Sequence, residues 1–371
     1  GFLDESSNNS VIAINGDVTQ GSFTPHYPPA GYWSNDFIAD SLKVTTASDF
    51  DLSSNQEFSI EFWLYPVNIN SSWGIFFYAN PNDDNFQISH DSSGNIDLRF
   101  AGSQIGTPFN LPLGTWSHFV VTRDSSGYIR QFLNGVLKNY NQKTNAIDRD
   151  FVTIGDRNGG NHFLGLISNV RWVKDSIPTG YVTTETSTGT TIFTPPTTPT
   201  TTTSQGATEA DVKLLTCKSN QFVDESGNHT FTFNGTPRVQ PFFPFDLTTS
   251  YDAYDHGGSA YFDGTGDGLN AGTDARFLPL ANEDFTFEAW VYLTATPGSQ
   301  GALIMGISEY GTSSDWILSI SNSLIPELWF NAESTAYKGT TAINLNSWNH
   351  IAYSRSGTGS NNLKGFINGV K

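Results

Sequence analysis

Two glutamates and two histidines stand where chemistry would begin. Glu61 and Glu288 each lie inside an alternating run, Phe58-Ser59-Ile60-Glu61-Phe62-Trp63-Leu64-Tyr65 and Phe285-Thr286-Phe287-Glu288-Ala289-Trp290-Val291-Tyr292. A strand carboxylate could help cleave a glycoside if a second carboxylate stood about 5–5.5 Å away, which on one strand means the residue two positions along. Those positions hold Ser59 and Trp63 beside Glu61, and Thr286 and Trp290 beside Glu288, so neither run carries an acid pair. A carboxylate on a half-buried strand then needs a partner. Arg123 and Arg355 follow the two Trp-x-His motifs at matching places and predict a structural Glu–Arg pair. His118 and His350 sit in aromatic-rich strands and read as hydrogen-bonded core histidines, because metal ligation would want a second histidine or cysteine at ligand spacing. Cys217 is the sole cysteine, forms no intrachain disulfide and reads as a small apolar filler. There is no Gly-x-Ser-x-Gly elbow, and Gly264-Thr265-Gly266-Asp267-Gly268 leads into a strand rather than a helix start.

The elements that must position these residues occur twice. The central run returns at a shift of 285 − 58 = 227, Trp116-Ser117-His118 returns as Trp348-Asn349-His350 at 232, and Phe132-Leu133-Asn134-Gly135-Val136 returns as Phe366-Ile367-Asn368-Gly369-Val370 at 234. Period-2 alternation dominates, and Asn-Gly pairs at 15–16, 134–135, 234–235 and 368–369 suit tight hairpin turns. Many short strands with regular turns predict an antiparallel sandwich. The expected organisation is one sandwich over 1–182, a Thr/Pro-rich linker over 183–209 and a second sandwich over 210–371. Copy two stops soon after Asn368-Gly369 without the closing strands that copy one shows at 165–173, so the second sandwich is expected to be C-terminally incomplete and the natural polypeptide longer.

Threonine fills 14 of the 26 positions from Thr183 to Thr208, which reads as an extended, solvated spacer unless Ile192-Phe193 pins it to the preceding domain. Phe23-Thr24-Pro25-His26-Tyr27-Pro28-Pro29 is loosely echoed by Pro241-Phe242-Phe243-Pro244-Phe245, and bulky groups on so rigid a backbone are expected to cover a sheet edge or wedge domains together.

Eighteen Lys+Arg against 36 Asp+Glu give a net charge of −18. With no basic cluster to neutralise phosphates, nucleic acid is an unsuitable partner, and anionic membranes are disfavoured for the same reason. No apolar run reaches the length of a transmembrane helix.

In order, Phe262-Asp263-Gly264-Thr265-Gly266-Asp267, Phe285-Thr286-Phe287-Glu288-Ala289-Trp290-Val291, Trp348-Asn349-His350-Ile351-Ala352 and Phe366-Ile367-Asn368-Gly369-Val370 resemble the laminin G-like branch of the concanavalin A-like jelly rolls. Copy one departs at the first piece, where Asn35-Asp36-Phe37-Ile38-Ala39-Asp40 replaces the Phe-Asp-Gly form. Together with Phe222-Val223-Asp224-Glu225-Ser226 and the Thr/Pro-rich connector, the domains are also similar to repeat proteins of marine cyanophage virions, and related repeats occur in secreted bacterial adhesins. The resemblance implies tandem jelly rolls joined by the linker. It implies a calcium ion held by Asp36 and Asp40 in one copy and by Asp263 and Asp267 in the other, with Asx turns as the plainer alternative. It also implies a non-enzymatic module array on a virion or at a cell surface. Tyr32, Trp33, Tyr251 and Tyr254 would be stacking platforms for host-surface glycans, with other virion or filament proteins and further copies of this chain as partners. The alternative is a purely structural filament or coat protein that binds no sugar.

Overall fold

Alternation in the strand Phe58–Pro66 sends Phe58, Ile60, Phe62 and Leu64 to one side, and all four are buried. Trp172 stacks on Phe58 at 5.1 Å and on Phe77 at 5.8 Å, while Phe62 packs against Phe76 and Phe119. This computed structural model describes residues 2–45, 48–69, 73–80, 86–272, 277, 283–307, 316–330, 336–359 and 361–371.

The strand belongs to the first of two compact units, Pro28–Thr249. Its sheet runs in the order Val136–Gln142, Tyr128–Leu133, Ser117–Arg123, Phe58–Pro66, Gly165–Lys174, Ser34–Phe37 and Arg238–Gln240, with Val212–Thr216 also paired to Gly165–Lys174. The facing sheet runs Phe109–Asn110, Asn95–Phe100, Phe86–His90, Gly74–Asn80, Phe151–Ile154, Ser41–Val44 and Thr232–Asn234. The pairings between these strands are antiparallel, and at Asn134-Gly135 both φ angles are positive (51° and 79°), as the Asn-Gly signal requires.

The second unit joins Gly1–Tyr27 to Ser250–Lys371. It holds a three-stranded sheet of Phe285–Tyr292, Trp348–Arg355 and Leu363–Ile367, and a four-stranded sheet of Ala302–Gly306, Trp316–Ile320, Pro326–Phe330 and Tyr337–Lys338. Between them Phe287 stacks on Trp316 at 3.8 Å above fully buried Leu318, Ile320, Leu328 and Ile351. Two ribbons complete it: Ala13–Asn15 pairs with Gly268–Asn270, and Thr19–Gly21 with Ser259–Tyr261.

These units differ from the expected boundaries at 182 and 209 for two physical reasons. The segment after the threonine tract adds strands to the first unit, and the leading 27 residues add strands to the second. The threonine tract is not a free spacer. Phe193 packs on Phe132 at 5.3 Å and Tyr181 at 4.7 Å, the amide of Ile192 donates to the Gly135 carbonyl, and the Thr200 amide donates to Asn169 Oδ1. Ile192-Phe193 therefore pins the tract to the outer face of the first unit's sheet. That face was expected to be half exposed, yet Ser59, Glu61 and Trp63 are all buried beneath such coverings.

Candidate functional site

Glu61 is 1% exposed and fully committed. Arg171, directly opposite it on Gly165–Lys174, donates through Nε to Oε1 at 2.7 Å. His118 Nε2 lies 3.2 Å from Oε2, and the Tyr181 hydroxyl donates to the same oxygen at 2.5 Å. Burial alone would raise its carboxyl, but Arg171, His118 and Tyr181 outweigh it and hold the carboxyl down at about 2. Burial and the same carboxylate push the Tyr181 hydroxyl well above the ordinary phenol range, so it stays a donor. The Glu–Arg pair exists, but with Arg171 instead of Arg123. In the strand register Arg123 stands opposite Phe58, and it donates to the carbonyls of Ser53, Gln56 and Asn145 at 2.7–2.8 Å. Arg355 likewise donates to the Glu283 carbonyl at 2.9 Å through Nε. The positions opposite Glu61 are Val120 and Arg171, and the position opposite Glu288 is Ala352, so among the described residues no carboxylate faces either glutamate across a strand. Glu61 has no proton to give near neutral pH and no access to a substrate.

Of the four aromatic residues named from the sequence, only Tyr254 is presented freely, at 97% exposure. It sits on the short helix Ala253–His256, which Asp252 caps by accepting from the Tyr254 amide at 2.8 Å. Tyr251 is half buried, donates to the Gly257 carbonyl at 2.7 Å and meets the rings of Tyr27 and His256. Tyr32 packs edge-on against Phe243 and Phe245. Trp33 corrects the expectation: at 1% exposure it is a core residue, its Nε1 donating to the Pro28 carbonyl at 2.8 Å, and neither ring face is open to a sugar.

The acidic loops are turn caps in both units. Asp40 accepts from the amides of Thr236 at 2.7 Å and Ile38 at 3.2 Å, while Asp267 accepts from those of Asp17 at 2.8 Å and Asp263 at 3.0 Å. The carboxylate oxygens of Asp17, Asp263 and Asp267 lie within 4.8 Å of one another; Asp36 and Asp40 belong to no such trio among the described residues. Burial raises the Asp36 carboxyl, which Arg238 on the paired strand partly offsets.

Sequence reasoning missed a polar cleft of about 200 Å3 in the second unit. The turns at Ser299-Gln300-Gly301 and Ser321-Asn322-Ser323 form its rim. Glu327 and Lys338 stand opposite each other on paired strands and are joined at 2.6 Å. Ser and Asn between strands signal a turn and nothing more, so only the Glu–Lys register could have pointed here. Hydroxyls, amides and a fixed ion pair suit a ligand rich in hydroxyl groups.

A two-layered antiparallel sandwich with Glu61 sealed into an ion pair at the centre of its sheet defines the concanavalin A-like class. The laminin G family model, described as the concanavalin A-like lectin/glucanases superfamily, matches residues 39–179 and 263–371, and the chain belongs to this family. No curated protein matches the chain. Solved structures similar to it include a heptameric SAP-like pentraxin of Limulus polyphemus (15% identity, TM-score 0.38, 58% of this chain and 97% of that one). Others are a Bacteroides ovatus protein described as carbohydrate binding (15%, 0.37, 57% and 60%) and the botulinum neurotoxin serotype D binding domain (14%, 0.33, 47% and 45%).

Proposed function

We propose that the chain is a non-enzymatic adhesion protein whose sandwiches bind glycans on a cell surface, carried on a virion appendage such as a phage tail fibre or on a secreted filament. The polar cleft lined by Glu327 and Lys338 carries this reading, because its Ser, Asn and Gln lining can exchange hydrogen bonds with hydroxyl groups and holds one carboxylate, already paired with Lys338. Tyr254 adds an open ring face in the same unit. Family membership supports a binding role, and the acidic surface turns away nucleic acid. Each site is shallow, so repeated domains would raise avidity through effective concentration.

A glycan array at high protein density tests this. Binding that falls with Lys338→Ala or Tyr254→Ala is the expected result. A blank array would sink the reading, and release of reducing ends from polysaccharides would replace it with an enzymatic one.

A further inference from the structure

The Asn-Gly segment of each unit is the same part attached from opposite ends, and the hairpin turns expected at 15–16 and 234–235 do not form: the two short strands flanking each pair bond to different strands and not to each other. In the first unit it is Thr232–Asn234 and Arg238–Gln240, which follow the sandwich in sequence; in the second it is Ala13–Asn15 and Thr19–Gly21, which precede it. The leading strand docks in matching register: Asn234 stands opposite Ser41 and Asn15 opposite Gly268, where 234 − 15 = 219 and 268 − 41 = 227 are the shifts of the segment and of the domain. The trailing strand sits two residues off that register, Arg238 opposite Asp36 and Thr19 opposite Tyr261, a domain shift of 261 − 36 = 225. Asp40 accepts the amide of Thr236, which follows Gly235, and Asp267 accepts that of Asp17, which follows Gly16. A covering segment then continues from each. Phe242 packs on Tyr65 and Trp116 and Phe245 on Trp63; at the same shift of 219, Phe23 packs on Tyr292 and Trp348 and His26 on Trp290.

One donor seats in one kind of acceptor whether the chain enters from the C-terminal or the N-terminal side, so the seat is specified by contacts and not by covalent continuity. In the second unit 222 residues, Pro28–Thr249, separate the donor from its acceptor. Its two docking strands are three residues long and exposed throughout, which makes for shallow docking that opens easily. We propose that the Gly1–Tyr27 segment exchanges between copies. The two strands of one chain would seat on Gly268–Asn270 and Ser259–Tyr261 of another, linking copies head to tail, and the partner is a second copy of this chain. This inference does not depend on glycan binding.

Single-cysteine variants test it on the full chain. Ile14 and Leu269 stand opposite each other and are 53% and 38% exposed, so Ile14→Cys and Leu269→Cys disturb little; native Cys217 is buried. The double variant, oxidised with glutathione at high dilution, should close within one chain and thereby validate the register. The two single variants, mixed at high concentration through a brief mild-denaturant pulse, should yield a disulfide-linked mixed dimer whose fraction rises with concentration. Asp267→Ala should lower the yield several-fold, and Asp40→Ala should leave it unchanged. Intrachain closure of the double variant with no mixed dimer at any concentration would overturn exchange. Failure of the double variant to close would overturn the docking itself.

Discussion

Glu61 and Glu288 hold the same strand position in two copies of one fold and meet opposite surroundings. Around Glu61 the sheet continues through Gly165–Lys174, which supplies Arg171, and the short helix Thr179–Tyr181 lays a tyrosine over it. Around Glu288, Phe285–Tyr292 is the terminal strand of its sheet among the described residues; the side chain is 61% exposed, and His350 at 3.2 Å is the counterpart of His118. The neighbouring tryptophans diverge likewise: Trp63 is 8% exposed and Trp290 37%. One local pattern, with Phe, Glu, Trp and Tyr at the same four of eight positions, thus gives a sealed ionic core in one unit and an open surface in the other. The fate of a strand residue is set by what lies across the sheet from it and above it.

Removing a partner from the sealed cluster is the strongest way to break that comparison. Arg171 also donates to the carbonyls of Thr201 and Ser204, so it ties the threonine tract to the strand glutamate. Glu61→Ala or Arg171→Ala leaves a buried charge uncompensated, and each should cost the first unit about 3–5 kcal/mol. Glu288→Ala should leave stability within experimental error. Hydrogen exchange followed separately over residues 58–66 and 285–292 checks both, and equal effects in the two units would refute the contrast.

Acid should separate the units next. The folded Glu61 carboxyl sits at about 2 against an ordinary value of 4.5, so its contribution is fully present above the ordinary value. It is lost as pH falls from there through about 2, because the unfolded chain takes up the proton first. Exchange protection in residues 58–66 should therefore weaken steeply over that window, and protection in residues 285–292 should show no matching step.

The fold was legible because period-2 alternation and Asn-Gly turns are local signals, and an ordered motif set found twice fixes two sandwiches. The structural role of Glu61 was legible in the missing i ± 2 acids. What was not legible depended on contacts distant in sequence. Arg123 looked like the partner of Glu61 because both copies keep an arginine after Trp-x-His, but register assigned the role to a residue 110 positions away, on the far side of the strand. Trp33 looked like an exposed aromatic beside Tyr32, yet the loop leading into Ser34–Phe37 folds it into the core, where its Nε1 meets the Pro28 carbonyl. The segment that completes the second unit could not be placed from sequence, since nothing in residues 1–27 says which sandwich they join.

A smaller effect sharpens the role of the tract. Phe193 is half buried against Phe132, Tyr181 and His118, so Phe193→Ala should cost about 1–2 kcal/mol through lost apolar burial. The readout is proteolysis: the wild-type tract should resist a nonspecific protease under native conditions, and the variant should be nicked within 183–208. Equal resistance would mean that the backbone bonds of Ile192 and Thr200 hold the tract without the ring.

The smallest effect concerns the acidic loops, where the units should agree. Asp40 and Asp267 each spend both carboxylate oxygens on backbone amides of a loop and of the docked Asn-Gly segment, which is what an Asx cap needs and what a calcium ion would have to share. Adding calcium or a chelator should leave the melting profile of both units and the exchange protection of residues 13–21 and 232–240 unchanged. A calcium-dependent rise confined to residues 13–21 would instead assign the Asp17, Asp263 and Asp267 oxygens to an ion. Because Asp36 faces Arg238 and has no such trio around it, the first unit should stay silent even then. A response in both units would show that the shared Asp-x-x-x-Asp spacing, and not the local charge balance, governs the loop.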